Sequence, residues 1–256
     1  PQIIELLKPI EAKGSLETVK RLSQRLNEIM NFATNCGFIQ ANPLVGIKAA
    51  FKKPKKENMA ALKPAELPEL MGAIANASIK RTTRCLIEWQ LHTMTRPSEA
   101  SGAMWKEIDI ESKVWTIPSE RMKKRRDQRI PLTDQMLAIL EVMKPISGHR
   151  EFVFPSDRDP KKPCNSQTAN MALKRMGFAG RLVSHGLRSL ASTTLNEQGF
   201  DRDLIEAALA HVDDNQVRSA YNRTDYLERR RPMMNWWNSK IKEASEGSLS
   251  VTEALF

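Results

Sequence analysis

Ile108-Asp-Ile-Glu-Ser-Lys-Val-Trp-Thr-Ile-Pro-Ser-Glu-Arg-Met-Lys-Lys-Arg-Arg-Asp-Gln-Arg-Ile-Pro-Leu132 is the stretch whose reading settles the fold class. Val114-Trp115-Thr116-Ile117 and Arg129-Ile130-Pro131-Leu132 are short runs rich in β-branched and aromatic residues, and Ile108-Asp109-Ile110 is a third. Such runs, bounded by polar turn residues, read as strands. They predict a small antiparallel sheet whose last two strands flank a basic turn. That turn is dense, with Arg121, Lys123, Lys124, Arg125, Arg126 and Arg129 placing six cations in nine residues.

The sequence on either side reads as helix. Pro64 suits a first helical turn, and that helix is expected to run to about Ala77. Others are expected over Thr82–His92, from Pro97 through Ala103, and at about 134–143, 166–176, 185–198, 202–210 and 214–221. A last one runs from about Tyr226 toward Lys242, with Pro232 near its start or kinking it. Near the N-terminus, Leu16, Val19, Leu22, Leu26, Ile29 and Ala33 recur at three- and four-residue steps, a helical stripe with Ser15 as cap and Gly37 as stop. The fold class is therefore α+β, mainly α-helical, with one small antiparallel sheet. Phe51-Lys-Lys-Pro-Lys-Lys-Glu-Asn58 is polar, basic and proline-containing, which marks a linker at 51–61 between a helical segment at 1–50 and a main domain at 62–256. Residue 1 is a proline in what already reads as folded sequence, so a longer parent protein is expected.

Lys and Arg number 40 against 30 Asp and Glu, a net charge of +10 in 256 residues. An excess of that sign favours a polyanionic partner, because neutralised phosphates release counterions. Cys36, Cys85 and Cys164 are widely spaced, with no C-x-x-C pair, so neither a disulfide framework nor a cysteine-based zinc site is expected and a reducing cytoplasm fits best. No apolar run approaches a membrane span.

Chemistry concentrates in the last third. His185-Gly-Leu-Arg188 is followed by His211 and by Tyr221 in Ser-Ala-Tyr-Asn-Arg223. A tyrosine hydroxyl can cut a phosphodiester, but with an ordinary pKa near 10 it needs cations around the phosphate. Candidates for those cations are Arg96 in Thr95-Arg-Pro-Ser-Glu99, and Lys123. His185 and Arg188, three apart, share a helix face near an N-terminus whose exposed amides favour an anion, with Ser184 as the expected cap. His211 follows a helix end, where the plainer reading is a ring capping the last carbonyls. Glu99 is placed to orient the Arg96 guanidinium, or else forms a surface ion pair. Two arginines on one phosphate suit a pentavalent transition state with charge on its equatorial oxygens. A lysine can protonate a leaving oxygen where an arginine cannot, but charge alone does not choose between Lys123 and Lys124. Asp109, Glu111, Asp157, Asp159, Asp213 and Asp214 show no metal-ligand spacing. Neither metal nor cofactor is expected. Trp236, Trp237, Met233 and Met234 are expected to pack on a core or on a partner.

Arg, Lys on a β-turn, His-x-x-Arg, His, then Tyr is an order that resembles the tyrosine recombinase (phage integrase) family. The closest resemblance is to prophage and genomic-island integrases related to satellite-phage enzymes. Trp115-Thr-Ile-Pro118 with Met122-Lys123, Asn196-Glu-Gln-Gly199, and Ala220-Tyr-Asn-Arg223 with Asp225-Tyr226 resemble that subgroup as well. The likeness covers about residue 60 to the end, and more weakly residues 1–50, which look like the tail of a helical core-binding domain. It implies that Tyr221 forms a 3′-phosphotyrosine link, that Arg96, Arg188 and His211 stabilise the phosphorane, that His185 assists proton transfer and that Lys123 is the general acid. It implies double-stranded DNA attachment sites as partner, a homotetramer with exchanged C-terminal segments, and DNA-bending accessory proteins. Lys52, Lys53, Lys55, Lys56, Arg121, Lys124, Arg125 and Arg126 are expected to contact DNA. Two departures stand out: Gln128 where relatives often carry histidine, and a Thr93-Met-Thr95 lead-in without glycine. The competing readings are a type IB topoisomerase and a DNA binder without activity.

Overall fold

The computed structural model describes residues 2–55, 59–123, 125–211, 225–246 and 250. The chain divides into two compact units, Pro1–Asn58 and Met59–Phe256. In the first, α1 (Gln2–Ala12) precedes α2 (Leu16–Asn35). Pro9 lies inside α1, a helix that the sequence reading does not assign. Leu7, Val19, Ile47 and Phe51 form this unit's small core, while Leu22 and Ile29 of the apolar stripe are exposed. Phe51 belongs to that core, so the chain without regular structure begins after it, at Lys52.

The second unit is built around a buried helix. After a 3₁₀ turn at Pro64–Glu66 come α3 (Leu67–Asn76) and α4 (Arg81–Thr93), and every residue of α4 from Cys85 to Thr93 is buried. Trp89 at its centre meets Trp115 and Phe154, with ring centroids 5.0 and 6.3 Å away. α5 (Pro97–Ser101) leads to the sheet, β1 (Ile108–Asp109), β2 (Val114–Ile117) and β3 (Gln128–Pro131), antiparallel in the order β1-β2-β3. Trp115 pairs with Ile130 and Ile117 with Gln128, so β2 and β3 close around the basic turn as the sequence predicts.

α6 (Asp134–Ser147) continues four residues past the expected end, with Pro145 in its last turn. α7 (Thr168–Leu173) runs into a π turn at Lys174–Phe178. α8 (Gly186–Glu197), α9 (Arg202–Ala208) and α10 (Leu227–Ala244) complete the described elements. The helix expected at 214–221 lies outside the described residues. α10 turns Met233, Met234 and Trp237 into the chain's own core, and Trp236 packs at 5.3 Å against Phe200. Its Asn238 is fully buried. Its Oδ1 lies 2.5 Å from His92 Nδ1 and accepts from Thr133 Oγ1 at 2.9 Å, and its Nδ2 donates to the Met234 carbonyl at 2.9 Å. No described helix is long and apolar enough to cross a membrane.

Candidate active site

The site starts where α4 stops. Met94 takes the left-handed conformation (φ 55°) that ends the helix, a position where glycine would be unstrained, and its side chain is buried. Thr93 Oγ1 donates to the Trp89 carbonyl at 2.7 Å and lies 2.8 Å from Thr95 Oγ1, which ties the turn down. Arg96 then stands at the N-cap of α5, with Pro97 in the first helical position. Glu99 accepts from the Arg96 backbone N at 2.8 Å and from its guanidinium at 2.7 Å. Its side chain is 3 % exposed, so it holds the guanidinium in place and is no surface pair. Hydrogen bonds between charged groups of this kind contribute roughly 1.5–3 kcal/mol.

His185 is the N-cap of α8. Ser184, expected as the cap, makes no such bond: its N donates to Asn170 Oδ1 and its carbonyl accepts from Gln90. α8 can start here because Gly186 lets the Ala60 backbone approach, where a Cβ would lie 2.3 Å from the Ala60 carbonyl oxygen. One turn on, Arg188 is buried. It donates to the Met94 carbonyl at 2.6 Å and the Leu209 carbonyl at 2.6 Å, and lies 3.3 Å from His211 Nε2. Arg96 donates to the Ala210 carbonyl at 3.3 Å. Helix-end carbonyls lack partners within their helix. At the end of α9 the two arginines take carbonyls that a capping His211 would have covered, and Gln128 takes two more, Ala207 at 3.0 Å and Ala208 at 3.4 Å. His211 instead places Nδ1 2.7 Å from Glu206. Arg188 faces the other ring nitrogen, Nε2, so His211 bridges the buried guanidinium and the Glu206 carboxylate.

The electrostatics follow from this crowding. Burial, opposed only partly by Glu99 and Glu206, pushes the Arg188 guanidinium down to about 10, and neighbouring Arg96 adds to the shift. Burial, then Arg188, Arg96 and His211, depress the His185 imidazole, so it favours the neutral form.

Arg96, Glu99, His185, Arg188 and His211 thus come together from three separate segments. Lys123 is exposed on the β2–β3 turn, and Arg125 and Arg126 are exposed beside it. Lys52, Lys53 and Lys55 are exposed in the first unit. Tyr221, Lys124 and Lys56 lie outside the described residues. Arg121 departs from expectation. Its guanidinium binds the Glu107 carboxylate and donates to the Glu99 carbonyl at 2.9 Å, so it points inward and is not free for phosphate. Sequence reasoning missed Glu206, whose only signal is its five-residue spacing from His211, and Gln128, visible only as a departure from relatives.

A family model described as the phage integrase family matches residues 60–228, and one described as the phage integrase central domain matches residues 1–50. The chain belongs to the phage integrase family. It is 58 % identical to prophage integrase IntA of Escherichia coli K12, over 98 % of this chain and 60 % of that protein. It is 33 % identical to the integrase of Enterobacteria phage P4, over 90 % of this chain and 56 % of the relative. The chain therefore spans roughly three fifths of the length of these curated relatives. A crystal structure of a lambda integrase dimer bound to a core site shares the fold, with TM-score 0.66 and 23 % identity over 82 % of this chain and 78 % of that one.

Proposed function

We propose that this chain carries the catalytic domain and part of the core-binding domain of a site-specific DNA recombinase that integrates or excises a mobile element. The supporting observation is Arg188, a buried cation beside Arg96, His185 and His211, bonded to two carbonyls and an imidazole and, among the described residues, to no carboxylate. Burying a charge without its counterion is costly, so such a cluster suits an anion arriving from outside.

In this reading the Tyr221 oxygen attacks the scissile phosphorus and forms a Tyr–O–P bond at the 3′ end. The phenolic proton passes to a base, with His185 assisting. Arg96, Arg188 and His211 neutralise the equatorial oxygens of the phosphorane. The P–O bond to the 5′ oxygen breaks, its electron pair stays on that oxygen, and the Lys123 ammonium supplies the proton. Attack by another 5′ hydroxyl reverses these steps, and because the ester conserves the bond energy neither ATP nor metal enters. The linker of this reading begins after Phe51, which belongs to the first unit's core. Lys52, Lys53, Lys55, Lys56, Lys124, Arg125 and Arg126 contact the DNA backbone. The assembly on attachment sites is a tetramer with exchanged C-terminal segments, aided by DNA-bending proteins in the cytoplasm.

The test is a nicked duplex spanning the junctions of the element that encodes the chain, incubated without metal and run on a denaturing gel. A covalent adduct is expected, and Tyr221→Phe abolishes it while binding persists. An adduct surviving in Tyr221→Phe overturns the nucleophile. Relaxation of plasmids by the monomer without site preference overturns recombination in favour of a topoisomerase.

A further inference from the structure

We propose that Arg121 is a positioning residue that fixes the lysine turn relative to the arginine site. This rests on the reading of Lys123 as the acid that protonates the leaving 5′ oxygen. Arg121 lies two residues before Lys123, at the end of β2's exit, and its side chain is only 18 % exposed while that of Glu107 is 4 % exposed. One guanidinium nitrogen meets both oxygens of Glu107, and the other donates to the Glu99 carbonyl at 2.9 Å. Glu107 is held in turn by Trp115 Nε1 at 3.0 Å and by the Met104 backbone N at 3.1 Å. Glu99 therefore works at both ends: its carboxylate grips Arg96 and its carbonyl grips Arg121.

The arginine also packs closely against Gly102. A Cβ on Gly102 would stand 2.7 Å from the second Arg121 nitrogen and 3.1 Å from the Ser98 carbonyl oxygen. Next along the chain, Met122 is buried in the core at 6 % exposure, and Asp127 closes the turn by accepting from the Ser119 backbone N at 2.8 Å. Lys123 follows directly on this frame, with its side chain exposed. One planar, forked cation reaching two acceptors is the geometry lysine cannot copy. Small misplacements of a catalytic group cost large factors in rate, so the length of the Arg121 arm sets whether Lys123 meets the phosphate that Arg96 binds.

The experiment compares Arg121→Lys, Gly102→Ala and Lys123→Ala with the parent chain on two duplexes. One carries an ordinary scissile phosphate, the other sulfur in place of the bridging 5′ oxygen, since a thiolate leaves without a proton. On oxygen, Arg121→Lys and Gly102→Ala are expected to slow adduct formation about 10- to 100-fold, the size of a general-acid contribution. On sulfur, both should return to within about threefold of the parent, as Lys123→Ala does. Amide exchange of residues 119–127 should quicken in both variants while the melting midpoint of the domain holds. Equal loss on both duplexes, no loss on either, or unchanged exchange overturns the positioning role while leaving the acid reading intact if Lys123→Ala is still rescued. If Lys123→Ala is not rescued by sulfur, the acid reading falls first and the inference with it.

Discussion

Arg188 and Arg230 are two buried arginines with opposite lessons. Burial pushes both guanidiniums down to about 10. Arg230, on α10, donates to the Arg129 carbonyl at 2.6 Å and has the Asp225 carboxylate close enough to oppose its shift. Asp225 is itself clamped by Arg129 at 2.6 and 2.9 Å. At that corner the arginine holds a helix against a sheet. Around Arg188 the neighbours are Arg96, His185 and His211, and the Glu99 carboxylate is already engaged by Arg96. The same residue type, buried equally, braces a helix against a sheet in one place and in the other lies among Arg96, His185 and His211.

Substitution is the sharpest way to break the contrast. Arg188→Met should lower the rate of covalent adduct formation about 10²- to 10³-fold, the effect of removing one preorganised donor. Arg230→Met should leave that rate within about threefold while lowering stability by roughly 1–3 kcal/mol, because it strips the donor from the Arg129 carbonyl. Adduct kinetics beside thermal melts decide it, and similar rate losses in both variants would erase the distinction.

Acid should separate the two regions next. Burial depresses His92, under the latch that Asn238 of α10 makes, to about 4 from an ordinary 6.5. The unfolded chain then takes up this proton first on acidification. Its stabilising contribution is present above about 6.5 and is lost as pH falls toward about 4. At 1.36 kcal/mol per unit the loss is roughly 3 kcal/mol. Denaturant melts from pH 7 to 4 should show the slope, and His92→Gln should flatten it.

Sulfate should distinguish the regions without DNA. Bound only by the folded chain, it raises stability by about 2.7 kcal/mol at a hundredfold excess over its Kd. The rise in melting midpoint is expected to vanish in Arg188→Met and persist in Arg230→Met. The smallest effect is a coupling to protons. An anion beside His185 favours the charged imidazole that burial and its cationic neighbours oppose. Sulfate affinity should therefore strengthen a few-fold from pH 7.5 to 5.5, and His185→Gln should remove that dependence, read by calorimetric titration.

Much of the fold was legible in local pattern. The strand runs on either side of the basic turn, the Pro64 and Pro97 helix starts and the apolar face of the last helix all appear where periodicity and proline place them. The ends were less so: α6 passes through Pro145, because a proline in a last turn forfeits only one bond of a helix already anchored by its core face. The turn's charge run misled at one residue. Arg121 looks like its neighbours in sequence, and only the Glu107 carboxylate fourteen residues earlier turns it inward.

By itself, then, the order of residues determined which groups exist for the chemistry and which element carries each, since helix starts, strand runs and the Arg96–Glu99 pairing depend on neighbours within a few positions. Tertiary structure alone decided that Arg96, His185, Arg188 and His211 share one site and that Met94 and Leu209 supply the carbonyls that orient Arg188. The physical reason is range. Local propensities act over a turn or two, whereas desolvation and the placing of a counterion are set by whatever packs alongside, here segments up to 114 residues apart in sequence.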